Sequence, residues 1–167
     1  NLGSFYNQIG KQKDAEILTR KAIELNPDSV TAHYNLAMIL IDLGKSEEAA
    51  INLEKAVEIM PDDEKSVVAL VRHLSYNAKY ELALKYLSKN KSNTCQVLYL
   101  GCLLSLDREQ DFKKKYKELF DKGVCNADFG GIVEHANIIY ESNYISPFCN
   151  KSINYILIDK INEEEFS

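Results

Sequence analysis

Apolar positions along the chain follow a helical period, and the same pattern returns after 34 residues. One stretch places apolar side chains at i, i+4, i+7, i+8 and i+11, which form a single stripe on an α-helix. Comparing the chain with itself at that offset aligns many identical residues. This self-similarity predicts an array of two-helix units. The stripe consists of Ala49, Leu53, Ala56, Val57 and Met60, and the aligned pairs include Gly10 with Gly44, Ala22 with Ala56, and Pro27 with Pro61.

The repeated positions in residues 30–61 have distinct mechanical roles. Gly44 follows the first helix and suits the left-handed residue that often ends a helix. Ser46 is expected to cap the second helix, and Asp62 the helix after it, because short polar side chains bond exposed backbone N–H groups. Pro61 stops the second helix. The unit is therefore predicted to be helix–turn–helix.

Such a 34-residue unit, with Gly at its turn, two small residues in its second helix and a terminal Pro, resembles the tetratricopeptide repeat (TPR). The segments 33–37 (His-Tyr-Asn-Leu-Ala) and 55–59 (Lys-Ala-Val-Glu-Ile) carry the resemblance most strongly. It implies an all-α fold, a right-handed superhelix of antiparallel helix pairs (a TPR α-solenoid) with a C-terminal capping helix.

The later units depart from the regular pattern. In the third unit, Ala78 stands at the turn, so Asn77 is expected to take the left-handed conformation, and the second helix is predicted to be about one turn shorter. The fourth unit has bulky residues where alanines stood, which predicts wider helix packing. Its stripe is Phe112, Tyr116, Leu119 and Phe120, and the capping helix is expected to bury Ile132, Val133, Ala136, Ile139 and Tyr140.

These patterns predict three regions of the chain. A repeat array comes first, a capping helix follows, and an irregular tail or linker to another domain ends the sequence. Because the chain begins part-way through a repeat and without Met, we interpret it as a fragment. The array spans 1–122, with units at about 1–28, 29–61, 62–92 and 93–122, the capping helix spans 123–143, and the tail spans 144–167.

The tail resembles the segment that links a TPR array to a 2-oxoglutarate/iron(II) oxygenase domain in some bacterial proteins. Such an iron site needs His-x-Asp or His-x-Glu and a second distant His. The residues two positions after His33, His73 and His135 are Asn, Ser and Asn. We therefore expect each His on a helix surface or rim. No catalytic residue, metal ligand or cofactor is predicted in this chain, and any oxygenase activity would belong to a larger parent protein.

The charge and the apolar runs of the chain limit the classes of partner that we expect, and the cysteine spacing limits the kinds of site. The formal net charge is -5, and the cations are scattered, whereas a nucleic-acid-binding domain shows a clustered basic face. No apolar run approaches the roughly 20 residues needed to span a bilayer. We therefore predict a cytoplasmic protein that binds neither nucleic acid nor membrane. The cysteines form no CxxC pair and are predicted to be buried thiols; they are Cys95, Cys102, Cys125 and Cys149.

The TPR resemblance implies a concave groove, lined by the first helix of each pair, that binds a protein or peptide. A carboxylate clamp of the kind some TPR proteins use is one alternative, since Asn35 and Lys65 occupy matching positions. The other, which we favour, is a polar wall without carboxylate specificity, because Ala69 stands at the clamp's Arg position and Ser4 at its first Asn. The predicted groove residues are Tyr34, Asn35, Met38, Asp42, Lys65, Val68, Arg72 and Tyr76.

Two functions follow from this resemblance. The chain is either a peptide-binding scaffold in its own right or the non-catalytic targeting or oligomerising arm of a larger enzyme, such as the oxygenase suggested by the tail. Self-association is a further prediction, because an open repeat end exposes apolar surface.

Overall fold

The structure, a computed structural model, describes residues 11–145, which contain eight α-helices and no β-strand. Short turns join consecutive helices, as expected for antiparallel neighbours. The described residues divide between two compact units, 11–95 and 96–145. The helices are α1 (Gln12–Leu25), α2 (Val30–Asp42), α3 (Ser46–Ile59), α4 (Glu64–Tyr76), α5 (Tyr80–Leu87), α6 (Asn93–Ser105), α7 (Glu109–Asp121) and α8 (Ala127–Ile139).

Small residues lie at the centre of the first unit. Ala37 on α2 and both Ala49 and Ala56 on α3 are fully buried, and their small side chains allow the two helices of this pair to pack closely. Leucines fill the space around them, as the apolar stripe predicted. Met60 is an exception, because it follows the last turn of α3 and is 46% exposed. The predicted stripe therefore ends one turn early.

The turn within each helix pair uses a left-handed residue. Gly44 has φ 73° and Ala78 has φ 54°, and each is followed by a backbone N–H that bonds a carbonyl five residues back. The prediction that Asn77 would be left-handed is wrong, since its φ is -92°. The left-handed residue occupies the same position of the turn in both pairs, so Ala78 takes the conformation that Gly44 takes in the preceding pair.

The helix caps correct two further predictions. Ser46 is the first residue of α3 and does not cap it, because the preceding Lys45 already closes the turn by donating its N–H to Leu40 O at 2.8 Å. At α4 the cap is Asp63 and not Asp62, and Asp63 Oδ2 accepts the backbone N–H of Ser66 at 2.9 Å. Both errors are of one residue, which is the usual uncertainty at helix ends.

The second helix of the third unit is shorter, as predicted, but by more than the one turn expected. Helix α5 has 8 residues, whereas α3 has 14. The loop that follows is held by the buried side chain of Asn90, whose Nδ2 donates to Asp62 O at 3.2 Å and whose Oδ1 accepts the N–H of Ser92 at 2.9 Å. A polar loop therefore replaces the missing helical residues.

Aromatic side chains dominate the second unit. Phe112 is fully buried, and its ring lies 5.7 Å from that of Tyr140 and 5.6 Å from that of Tyr144. Tyr116 donates its hydroxyl to Ile145 O at 2.8 Å, which holds the segment after α8 against α7. The bulky stripe thus packs against aromatic neighbours, while the wider helix spacing predicted for this unit stays a prediction.

Helix α8 buries part of the predicted face and adds Phe129 to it. Phe129, Val133 and Ala136 are buried, whereas Ile138 is 75% and Ile139 55% exposed. The inclusion of Ile139 in the buried face is therefore wrong, because the stripe runs through 129, 133, 136 and 140. The predicted domain boundaries stay predictions, and most of the predicted tail, residues 146–167, lies outside the described residues.

Candidate functional site

A cavity of about 700 Å³ lies in the first unit between α2 and α4. Its walls come from the first helices of two successive pairs, with one residue from the start of α3 and one from the start of α6. We call this cavity the α2–α4 groove. It is lined by Tyr34, Met38, Ile41, Ser46, Glu64, Lys65, Val68, Ala69, Arg72, His73, Tyr76 and Thr94.

The structure brings six of the eight predicted groove residues together at this cavity. The other two, Asn35 and Asp42, are absent from its lining. Helical geometry explains the difference for Asn35: positions 34, 38 and 41 share one face of α2, and position 35 is rotated about 100° away. Asp42 is the last residue of α2. The six that line the cavity are Tyr34, Met38, Lys65, Val68, Arg72 and Tyr76.

The α4 wall combines an apolar centre with two cations. Val68 and Ala69 are half-buried, and the exposed Lys65 and Arg72 lie one on each side of them along the helix. Neither cation has an ion-pair or hydrogen-bond partner among residues 11–145. Tyr76, at the end of α4, is 92% exposed. The groove therefore offers apolar contact at its centre and positive charge beside it.

The residues needed for a carboxylate clamp do not meet in this cavity. Lys65 lines it, but Asn35 does not. Ala69 lines it at the clamp's Arg position and has no polar atom to offer a carboxylate. Ser4 lies outside the described residues. The geometry favours the alternative of a groove without a clamp.

A Ser–His contact lies in the groove wall and was not anticipated from the sequence. Ser46 Oγ is 3.3 Å from His73 Nδ1, and the amide of Asn77 is 3.4 Å from His73 Nε2. The Asn77 amide nitrogen also donates to His73 O at 2.9 Å, so it faces the ring as a donor. The two ring nitrogens of His73 thus face a serine of α3 and an amide at the end of α4, and which nitrogen carries the proton depends on the tautomer.

The other histidines divide between interior and surface. His33 is 8% exposed and lies between α2 and α3, with Nδ1 3.1 Å from Asn52 Oδ1 and Nε2 2.9 Å from Pro27 O. The prediction of a surface or rim position is therefore wrong for His33. It holds for His135, which is exposed on α8. The Asn52 contact crosses from α2 to α3, whereas the Pro27 contact runs to the loop before α2, and this geometry is that of a structural residue.

The cysteines also differ from one another. Cys95 and Cys102 are buried, as predicted, and burial raises the pKa of the Cys95 thiol. Cys125 is exposed in the turn before α8, so the prediction of a buried thiol is wrong there. Cys149 lies outside the described residues.

Residues 11–145 contain no group of three or more His, Cys, Asp or Glu side chains arranged to hold a metal ion. None of their helices has both the length and the apolar character of a membrane span.

Two sequence models described as tetratricopeptide repeat match the chain, one over residues 1–29 and one over residues 18–50. No curated protein sequence is similar to it. Among solved structures, PilF of Pseudomonas aeruginosa superposes with a TM-score of 0.61 at 18% identity, covering 81% of this chain and 66% of PilF, slightly under two thirds.

A second solved structure has the same fold. YrrB, described as a TPR protein with an unusual peptide-binding site, superposes with a TM-score of 0.61 at 20% identity and covers 82% of this chain and 75% of YrrB. At these identities the two structures bear on the fold alone. Residues 1–50 match tetratricopeptide-repeat models, and the described residues have the all-α fold of a TPR solenoid.

Proposed function

We propose that this chain is a protein-interaction scaffold that binds an extended peptide segment of a partner in the α2–α4 groove. The observation that carries the proposal is the groove itself, a cavity of about 700 Å³ whose two walls present apolar side chains. Cavities of roughly 300–1,000 Å³ with apolar walls and a few polar groups are typical of binding sites. The peptide-binding site named for YrrB supports the same class of function.

The shape of the groove suits an extended segment. Helix α4 contributes residues to the lining from Glu64 to Tyr76, a length of about 18 Å at 1.5 Å per residue. An extended chain covers that length in about five or six residues. Met38 and Tyr34 on α2 stand opposite this wall and complete the apolar surface. A short peptide would thus contact α4 along its whole length and α2 over about 10 Å, the span from Tyr34 to Ile41.

An unbiased peptide selection tests the proposal. A displayed library of random, internally located segments is panned against the protein and against the variant Val68→Asp, which places a charge on the apolar wall. Ile51→Asp is the matched control, because Ile51 is apolar, 66% exposed and outside the groove. We expect enriched segments that bind the parent protein and the control but bind Val68→Asp at least tenfold more weakly. Equal binding to all three proteins would place the interaction elsewhere.

The alternative function, a non-catalytic arm of a larger enzyme such as an oxygenase, stays a hypothesis. It rests on the tail, and residues 146–167 of that tail lie outside the described residues. The sequence that follows Ser167 in a parent protein would test it: His-x-Asp with a later His in a strand-rich pattern favours this alternative.

Three smaller predictions also stay open. They are the cytoplasmic location, the absence of enzyme activity in this chain, and self-association. Light scattering at two protein concentrations tests the last of these, since a monomer at both contradicts it.

A further inference from the structure

We propose that the α2–α4 groove recognises an extended segment with two acidic side chains flanking one apolar side chain, in the order acidic, any, apolar, any, acidic. This inference rests on the proposed function and specifies the peptide that the groove takes. It is carried by α4, where Lys65 and Arg72 flank Val68 and Ala69.

The charge of the groove selects for an acidic ligand. Lys65 and Arg72 are exposed, line the cavity, and have no ion-pair or hydrogen-bond partner in the described part of the chain. Two cations of the same unit outside the groove are instead paired: Arg20 and Lys45 both contact Glu16, at 2.8 and 2.9 Å. Complementary charges across an interface favour the correct partner and speed its association. Two unpaired cations on an apolar groove thus favour a ligand that carries two anionic groups.

The spacing of the cations fixes the spacing of the acidic groups. Lys65 and Arg72 are seven residues apart on one helix, so they share a face and lie about 10.5 Å apart along the axis. In an extended peptide, side chains four residues apart point the same way and lie about 13 Å apart. The long stems of lysine and arginine absorb the difference. Acidic residues at positions one and five of the segment therefore reach both cations.

The middle position of the segment faces the apolar part of the groove. The midpoint between residues 65 and 72 falls between Val68 and Ala69, and Met38 lines the opposite wall. The side chain at position three of an extended segment points the same way as those at positions one and five. An apolar side chain such as leucine would bury its surface there, while positions two and four point away from the groove.

One acidic residue of the groove lining should weaken the binding of an acidic peptide, so its replacement provides a further test. Glu64 begins α4 next to Lys65 and lines the same cavity. Its carboxylate repels the acidic position nearest to Lys65. Glu64→Gln should therefore strengthen the binding of a doubly acidic peptide and leave that of a neutral peptide unchanged.

Three peptides, acetylated and amidated so that no terminal charge contributes, measure this specificity. Their central sequences are Glu-Ser-Leu-Ser-Glu, Gln-Ser-Leu-Ser-Gln and Lys-Ser-Leu-Ser-Lys. Fluorescence anisotropy at low salt should show the neutral peptide binding roughly 3- to 20-fold more weakly than the acidic one, as expected for two exposed ion pairs. This ratio should shrink at about 0.5 M salt, where screening is strong.

A charge-reversal variant tests the preference for acidic peptides more directly. In Lys65→Glu/Arg72→Glu the preference should invert, so that the lysine-flanked peptide binds best. Lys13→Glu/Lys21→Glu makes the same change in net charge at two exposed residues of α1 outside the cavity. This control should keep the preference for the acidic peptide. Circular dichroism confirms that both variants are folded.

Three results overturn the proposal: equal binding of the acidic and neutral peptides to the parent protein, no binding of the acidic peptide at about 1 mM, or inversion in both double variants. The proposed function is judged separately by the random library. A library that enriches segments without acidic residues, all dependent on Val68, would sustain peptide binding and contradict the acidic specificity.

Discussion

The imidazole of His33 and the amide of Asn52 meet across the helix pair α2–α3, with Nδ1 3.1 Å from Oδ1. Asn52 Nδ2 donates to Glu48 O at 2.9 Å, and this bond fixes which end of the amide faces the ring. The contact links a buried polar group on one helix to a half-buried one on the next. Asn52 is therefore part of the packing between the two helices.

Asn52→Ala should lower the free energy of unfolding by about 1–2 kcal/mol, because it leaves a buried ring nitrogen without its partner. Urea unfolding measures this change. Lys55→Ala, at an exposed position of the same helix, should cost no more than a few tenths of a kcal/mol. Equal losses in the two variants would mean that the His33 contact contributes nothing to stability.

The alanines between α2 and α3 should not tolerate larger side chains. Ala49→Leu and Ala56→Leu each insert three carbons at a fully buried site and should destabilise the protein by about 1–3 kcal/mol through overpacking. Ile51→Leu on the same helix, at a position 66% exposed, serves as the control and should be nearly neutral. Thermal unfolding that shows the same shift for all three variants contradicts this register.

The two left-handed turn residues predict opposite effects of glycine and alanine. Ala78→Gly should raise the unfolding free energy by up to about 1 kcal/mol, because glycine adopts φ 54° without steric cost. Gly44→Ala should lower it by about 1 kcal/mol. A Cβ at Gly44 would have no neighbour within 4 Å, so the backbone conformation alone accounts for that loss. A stabilising Gly44→Ala would show that the left-handed turn is absent.

The charge cluster between α1 and α3 predicts a pH dependence. The hydrogen bond from Lys45 and then that from Arg20 lower the pKa of Glu16 from its usual value of 4.5. The cluster therefore contributes its full stabilisation above pH 4.5 and loses it as the pH falls through the lower pKa of the folded state. The pairs are partly exposed, so the contribution at pH 7 should be no more than about 1 kcal/mol.

Comparison of the parent protein with Glu16→Gln measures this effect. The difference in unfolding free energy should be present at pH 7 and shrink as the pH falls below 4.5. Glu24→Gln, at an exposed position of the same helix, should show no comparable loss on acidification. A Glu16→Gln difference that is constant over this range would contradict the assigned ion pairs.

Helical periodicity indicates which residues share a face of one helix, but it does not predict contacts between two helices. The TPR resemblance supplied Lys65, Val68 and Arg72 as groove residues, and their i, i+3, i+7 spacing is consistent with one shared face of α4. The contact of Ser46 with His73 joins residues 27 positions apart, and it depends on how α3 meets α4. The spacing of residues along the sequence does not give the angle at which these two helices pack.

The short third unit shows a second limit. Thr94 enters the groove at the start of α6, directly after the loop that replaces the last turns of α5. Once the 34-residue register is lost, the sequence no longer tells which residue of the next helix faces the groove. Likewise, Asn77 was preferred over Ala78 at the turn on intrinsic propensity alone, whereas the backbone register of the turn decides the conformation.

The two methionines of the chain allow a direct test of the groove as the binding site. Met38 lines it, and Met60 is 46% exposed at the end of α3 outside it. With methyl-labelled methionine, NMR spectra are recorded while a library-selected peptide is added. The groove account predicts that the Met38 methyl resonance shifts in proportion to the bound fraction while that of Met60 stays unchanged. A shift of Met60 with none at Met38 would contradict it.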